Sequence, residues 1–250
     1  MKTENSRAEI SEVFASIQGE GLSLGTMQLF IRFGPANREC RERAAPVEDN
    51  NDQFWYRTLP GTRNLKAKNP ITAGKLFNDI ARYFPLQQFY CISMIGEEPL
   101  RQASFLSAFL PLLKRAGLKT FAQTTAPTTR DFAGLISMFD MICLDLDLSR
   151  RERHCEKELN RLATIIEMTD PATAYLRLTV DAHENPHILL AQLEKLPIHR
   201  HTLVLQPKMT GLSHISDWDT GTILAWINLF APLFAHIRWI PQVHKLLRIP

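Results

Sequence analysis

Met141-Ile-Cys-Leu-Asp-Leu146, then a run from 151 to 168, then Ala174-Tyr-Leu-Arg-Leu-Thr-Val180 is the stretch that sets the fold class. The two flanking runs are short, apolar and rich in β-branched or aromatic side chains, which suits strands. The run between them repeats its apolar residues at helical spacing. Strand, helix, strand in this order reads as a parallel unit with a right-handed crossover.

The same rhythm extends outward in both directions. Strand-like runs lie at 28–33, 89–94, 120–123, 202–205 and 236–240. Helical periodicity marks 73–84, 102–116, 129–138, 186–196 and 216–233. Gly117 follows Lys114-Arg115 and has the look of a helix stop. The alternation predicts an α/β protein in one domain spanning 1–250. One segment breaks it: from about 34 to 73 the chain is polar, rich in Arg, Asn, Asp and Pro, and reads as a long irregular loop with Trp55-Tyr56 as its anchor.

Bulk composition narrows the function classes. Of 250 residues, 45% are hydrophobic and 22% charged, ordinary values for a globular protein with a full core. The formal net charge of +3 is too small to imply nucleic acid binding, so no nucleic-acid partner is expected. The first seven residues hold no apolar core and do not read as a signal peptide. The apolar stretch 223–237 holds Asn228 and Pro232 and reads as a buried helix followed by a strand, so no membrane partner is expected either. The four cysteines, at 40, 91, 143 and 155, form no CxxC pair, which points to a reducing, cytoplasmic setting. Cys91 and Cys143 lie in apolar runs and read as core thiols.

Several strings have more specific content. Ile10-Ser-Glu-Val-Phe-Ala-Ser-Ile-Gln-Gly-Glu-Gly21 is followed by Gly25-Thr and Leu29-Phe-Ile-Arg-Phe33. Further on come Gly96-Glu-Glu-Pro-Leu-Arg-Gln102, Leu203-Val-Leu-Gln-Pro207 and Ile240-Pro-Gln-Val-His-Lys-Leu-Leu-Arg-Ile-Pro250. In order and kind these resemble landmarks of the 7-carboxy-7-deazaguanine synthase family, radical-SAM enzymes of queuosine precursor biosynthesis. The resemblance implies an incomplete parallel β/α barrel of about six strands with outer helices, and a homodimer. It also implies a [4Fe–4S] cluster, S-adenosylmethionine and magnesium acting on 6-carboxy-tetrahydropterin.

The sequence departs from that family where the cofactors would sit. The family's CxxxCxxC, aligned on Asn37, falls on Ala36, Cys40 and Arg43. Alanine offers no ligand, and arginine is a permanent cation with no acceptor atom. The family's Asp-Thr reads Ala44-Ala45, its Gly-Gly-Glu-Pro reads Gly96-Glu97-Glu98-Pro99, its Glu-Thr-Asn-Gly reads Gln123-Thr-Thr-Ala126, and its Asp-x-Lys reads Asp145-Leu-Asp147. The expectation is therefore no metal, no cofactor and no catalytic residue, with Gly96, Glu97, Glu98 and Pro99 as a vestige of the SAM region.

Other positions keep the family's residues. Gln18, Glu20 and Arg32 match the substrate side of the family's pocket, and Gln206, Gln242, His244, Lys245 and the carboxylate of Pro250 match the far end of its chain; all but Lys245 are counted as candidate substrate-binding residues. Together they imply an anionic pterin or deazaguanine ligand, with Arg32 as carboxylate partner and Gln18 and Glu20 at the ring edge. Each has a plainer reading as well: Gln18 and Glu20 as a turn after a strand, Arg32 as a structural ion pair, His244 as a fixture of the C-terminal segment. The sequence thus points to a non-catalytic ligand-binding or partner protein related to 7-deazaguanine metabolism. The alternatives are an active synthase with another cluster arrangement, or an enzyme without SAM chemistry.

Overall fold

The computed structural model describes residues 6–34, 52–58, 64–126, 128–148, 156–209 and 218–247. The chain packs as two compact units, 1–16 with 26–141 and 17–25 with 142–250.

The first unit carries β1 (Arg7–Ala8), β2 (Ile10–Ile17, whose last residue begins the second unit), β3 (Met27–Phe33), β4 (Gln53–Arg57), β5 (Leu65–Lys68) and β6 (Ile71–Thr72). After these come α1 (Ala73–Tyr83), β7 (Ile92–Gly96), α2 (Ala103–Arg115), β8 (Thr120–Thr124) and α3 (Thr129–Leu135). The strand order is β8-β7-β3-β2-β4-β5, and β1 pairs with β6 separately. β3, β7 and β8 run parallel, as do β2 and β4, while β4 and β5 form an antiparallel hairpin. Thr72 caps α1 by accepting from the Lys75 amide, and Leu76 and Ile80 are the buried stripe of that helix.

The second unit alternates strictly: β9 (Met141–Asp145, whose first residue lies in the first unit), α4 (Glu156–Glu167), β10 (Ala174–Val180), α5 (Pro186–Leu193), β11 (Thr202–Pro207), α6 (Thr220–Phe230), β12 (His236–Trp239) and α7 (Val243–Leu247). β9, β10, β11 and β12 are adjacent and parallel in that order. Six of the seven residues of β10 are buried, as befits a parallel strand covered on both faces. α4 closes on the core through Leu159, Leu162, Ile165 and Ile166, spaced as one helical face.

The α/β class and the parallel strands expected from the alternation are present in both units. Three differences stand out. Ile10–Ile17 is a strand, outside the strand-like runs singled out above but in keeping with Gln18 and Glu20 as a turn after a strand. The run expected as a strand from 89 starts at Ile92, after a short 3-10 turn at Leu86–Gln88. Within the segment read as an irregular loop, β4, β5 and β6 are regular strands. The hairpin forms because Phe54 and Tyr56 alternate with Trp55 and Arg57, so one face buries aromatic rings while the other carries charge. Tyr56 packs against Phe54, Tyr83 and Phe84, and its hydroxyl donates to Asp79 on α1 at 2.9 Å. No helix among the described residues is long and apolar enough to cross a membrane.

Candidate functional site

In the second unit, a buried ion cluster ties the turn after β2 to the parallel strands. Asp145 closes β9, and Arg177 lies beside it in register on β10. Arg177 is 6% exposed. It grips Asp145 in a fork, Nε to Oδ1 at 2.5 Å and Nη2 to Oδ2 at 2.7 Å, and its Nη1 donates to Oε2 of Glu20. Burial works against the charge on Arg177, but the adjacent carboxylates of Asp145 and Glu20 outweigh it and raise its pKa well above the usual value.

The other oxygen of Glu20 is engaged as well. Oε1 accepts from Gln242 Nε2 at 3.0 Å, and His244 Nδ1 stands 3.5 Å away. Gln242 in turn accepts from the Met209 amide at 3.4 Å, and Lys245 Nζ donates to the Met209 carbonyl at 2.8 Å. Gln18 is buried, and its Oε1 accepts from the Glu20 amide at 3.1 Å. The backbone between them is tightly specified. A Cβ on Gly19 would lie 2.5 Å from the Cβ of His244. Gly21, at φ +66°, would place one 2.0 Å from the Tyr175 hydroxyl. Gln206, on β11, is 1% exposed, and its Nε2 donor has no hydrogen-bond partner.

The structure thus brings Glu20 together with Gln18, Gln242 and His244. The residues that hold Glu20 in place, Arg177 and Asp145, were missed. A lone arginine inside the apolar run Ala174–Val180 was the available signal, since charges are seldom buried without partners.

Arg32 belongs to the first unit. It is paired with Glu12 on β2, and its guanidinium lies 5.1 Å from the centre of the Phe14 ring. Glu12 also accepts from Arg57 Nε at 2.7 Å. The carboxylate that Arg32 meets is therefore one of this chain's own.

The Gly96–Pro99 segment is also used internally. Gly96 sits at φ +114°, and a Cβ there would come 2.4 Å from the Phe33 carbonyl oxygen, so the position requires glycine. Glu98, itself at φ +93°, accepts from the Leu100 amide at 3.3 Å, the Thr124 hydroxyl, and the amide and hydroxyl of Thr125, both at 2.8 Å. Its carboxylate binds the end of β8 to the turn after β7.

The thiols within the described residues are poor metal ligands. Cys91, just before β7, and Cys143, on β9, are both buried. Burial pushes the Cys91 thiol up to about 11 and raises Cys143 further, so both stay protonated. Among the described residues, no group of three or more His, Cys, Asp or Glu is placed to hold a metal ion. Ala36, Cys40, Arg43 and Pro250 lie outside the described residues.

The architecture is that of a known α/β class. The crystal structure of QueE from Escherichia coli aligns with a TM-score of 0.55 over 94% of this chain and 96% of that one, at 15% identity. Sequence similarity carries the relationship further. The chain is 27% identical to the 7-carboxy-7-deazaguanine synthase of Geobacter sulfurreducens over 244 residues, 95% of this chain and 96% of its relative. It is 26% identical to that of Methanopyrus kandleri over 244 residues, covering 95% and 92% of the two. No family model matches the chain. The chain is a relative of the 7-carboxy-7-deazaguanine synthases, as its motifs implied.

Proposed function

We propose that this chain is a non-catalytic relative of the 7-carboxy-7-deazaguanine synthases, without a radical-SAM cluster, acting as a binding or partner protein in 7-deazaguanine metabolism. The donor set carries this reading. The sequence has four cysteines and none spaced as CxxxCxxC. Three thiolates are what such a cluster needs from its protein, and two of the four thiols are buried and protonated. The residues present do not fit the group, so no reaction step is assigned through it.

The state of the Gly96–Pro99 turn supports the same reading. The Glu98 carboxylate is taken up by four donors of the protein itself. Glu97 adds a charged side chain at the position that resembles a family glycine.

The test is iron and sulfide analysis with visible absorbance after anaerobic reconstitution. Colourless protein without stoichiometric iron is expected. Brown protein with a full [4Fe–4S] complement would overturn the reading. A thermal-shift screen with S-adenosylmethionine, carboxypterins and 7-deazaguanines then addresses the ligand; the proposal expects no response to S-adenosylmethionine.

A further inference from the structure

The β4–β5 hairpin has two unlike faces. Phe54 and Tyr56 are buried toward α1, and Asn69 ties the end of the hairpin to β2 through both its side-chain atoms, at 3.1 and 2.7 Å from Ile10. The opposite face is set by register. Trp55 pairs with Lys66 and Gln53 with Lys68, so these four side chains share a side with Arg57. Trp55 and Arg57 pair in turn with Glu12 and Phe14 on β2. Arg32 reaches this same side from β3, through Glu12 and the Phe14 ring.

The result is a ledge with four cations, of which Arg32 and Arg57 pair with the Glu12 carboxylate while Lys66 and Lys68 lie across the hairpin from Trp55 and Gln53. Lys66 and Lys68 are exposed, and the side chains of Arg32 and Arg57 are 42% and 55% exposed. Trp55 lies among them half-buried, with Lys66 Nζ 4.6 Å from its ring centre. Lysines on an edge hairpin also discourage strand pairing. That role does not require a tryptophan between them or two further arginines beside them.

We propose that this ledge binds single-stranded nucleic acid, with the cations tracking phosphates and the Trp55 ring offering a stacking surface to a base. Cations spaced by about 5 Å across strands and about 7 Å along them, interleaved with an aromatic ring, match the sequence-tolerant mode of single-strand binding. The footprint is short, on the order of four nucleotides. The net charge of +3 for the whole chain gave no hint of it, because a bulk sum averages a local excess away. This inference is independent of the catalytic status proposed above.

The experiment is fluorescence anisotropy with a labelled oligouridylate of about 12 nucleotides, titrated at several salt concentrations. Three phosphate contacts predict a slope of log K against log salt of about −2. Lys66→Ala with Lys68→Ala should weaken binding at least tenfold at low salt and flatten the slope by about 1.4. Trp55→Ala should weaken it about tenfold. Thermal melting checks that these variants fold. If the double variant melts early, Lys68→Ala alone replaces it, with half the change in slope expected. Equal binding by the lysine variants, or no binding by wild type, overturns the proposal. So does an unaffected Trp55→Ala variant together with equal competition by inorganic polyphosphate, which marks a general polyanion site. Capture by anionic phosphatidylglycerol vesicles without oligonucleotide binding overturns it in favour of a membrane surface.

Discussion

The guanidinium of Arg177 is bonded to the carboxylate of Glu20, a residue 157 positions earlier in the chain. The family resemblance assigned Glu20 to the edge of a ligand ring. In this chain a planar cation of the protein itself occupies that carboxylate, and Asp145 holds the cation's other edge. The turn after β2 is thereby fastened to β9 and β10 within one unit.

Removing the central cation takes from Glu20 and Asp145 the one guanidinium that both carboxylates share. Arg177→Ala should cost on the order of 3–5 kcal/mol, the usual penalty for breaking a buried ion pair from one side. Arg177→Lys should recover only part of it, because an ammonium cannot reproduce the fork to Asp145. Chemical denaturation of both variants measures the loss. A wild-type midpoint for Arg177→Ala would mean that the cluster contributes no stability.

The buried thiols give a second expectation. With the Cys91 pKa near 11, about a thousandth of it is thiolate at pH 8, and Cys143 is higher still. A Cys40→Ser, Cys155→Ser variant retains only these two. It should react with a thiol reagent far more slowly when folded than when unfolded in denaturant. Rapid labelling of the folded variant would show that these buried sites open readily.

The reading of the fold succeeded where periodicity was long and failed where structure depended on partners. Ala174–Val180 and the helix ending at Glu167 were legible because burial on both faces, or along one stripe, leaves an unmistakable pattern. The hairpin was hidden because Gln53–Arg57 is only five residues long and Leu65–Lys68 is half lysine. Its strand character comes from packing Phe54 and Tyr56 on α1, a contact far from local in sequence. For the site, Glu20, Gln242 and His244 were legible through resemblance alone. Arg177 and Asp145 matter through their pairing across two strands, and register is not visible in a linear chain.

The close fit at Gly21 and Tyr175 predicts a coupled pair. Gly21→Ala meets two obstacles: a φ of +66° and a Cβ 2.0 Å from the Tyr175 hydroxyl. The backbone strain costs about 1 kcal/mol or somewhat more, and the clash adds to it. Tyr175→Phe removes the closest clashing atom, the oxygen, and leaves the strain and a lesser contact with the ring carbon Cζ at 2.8 Å. The double variant should therefore be more stable than the sum of the single effects predicts, by about 0.5–3 kcal/mol. Additive losses would mean that the ring shifts freely to make room.

His201 predicts a pH dependence. It is 3% exposed, its Nε2 lies 2.7 Å from the Thr169 hydroxyl, and its Nδ1 has no partner. The Thr169 hydroxyl donates to the Ile166 carbonyl at 2.6 Å, so its oxygen is left to accept from His201 Nε2–H. That fixes the neutral tautomer with a bare, buried Nδ1. Burial first, and then Arg200, lower the pKa below 6.5, while Asp170 opposes them. Below pH 6.5 the unfolded chain therefore takes up a proton that the folded chain refuses. The stability from this residue is complete above about 6.5 and is lost as pH falls toward the folded value. Denaturation between pH 7.5 and about 5 should show the decline, and His201→Gln, which cannot titrate, should flatten it. An identical slope in both proteins would assign the decline to other groups.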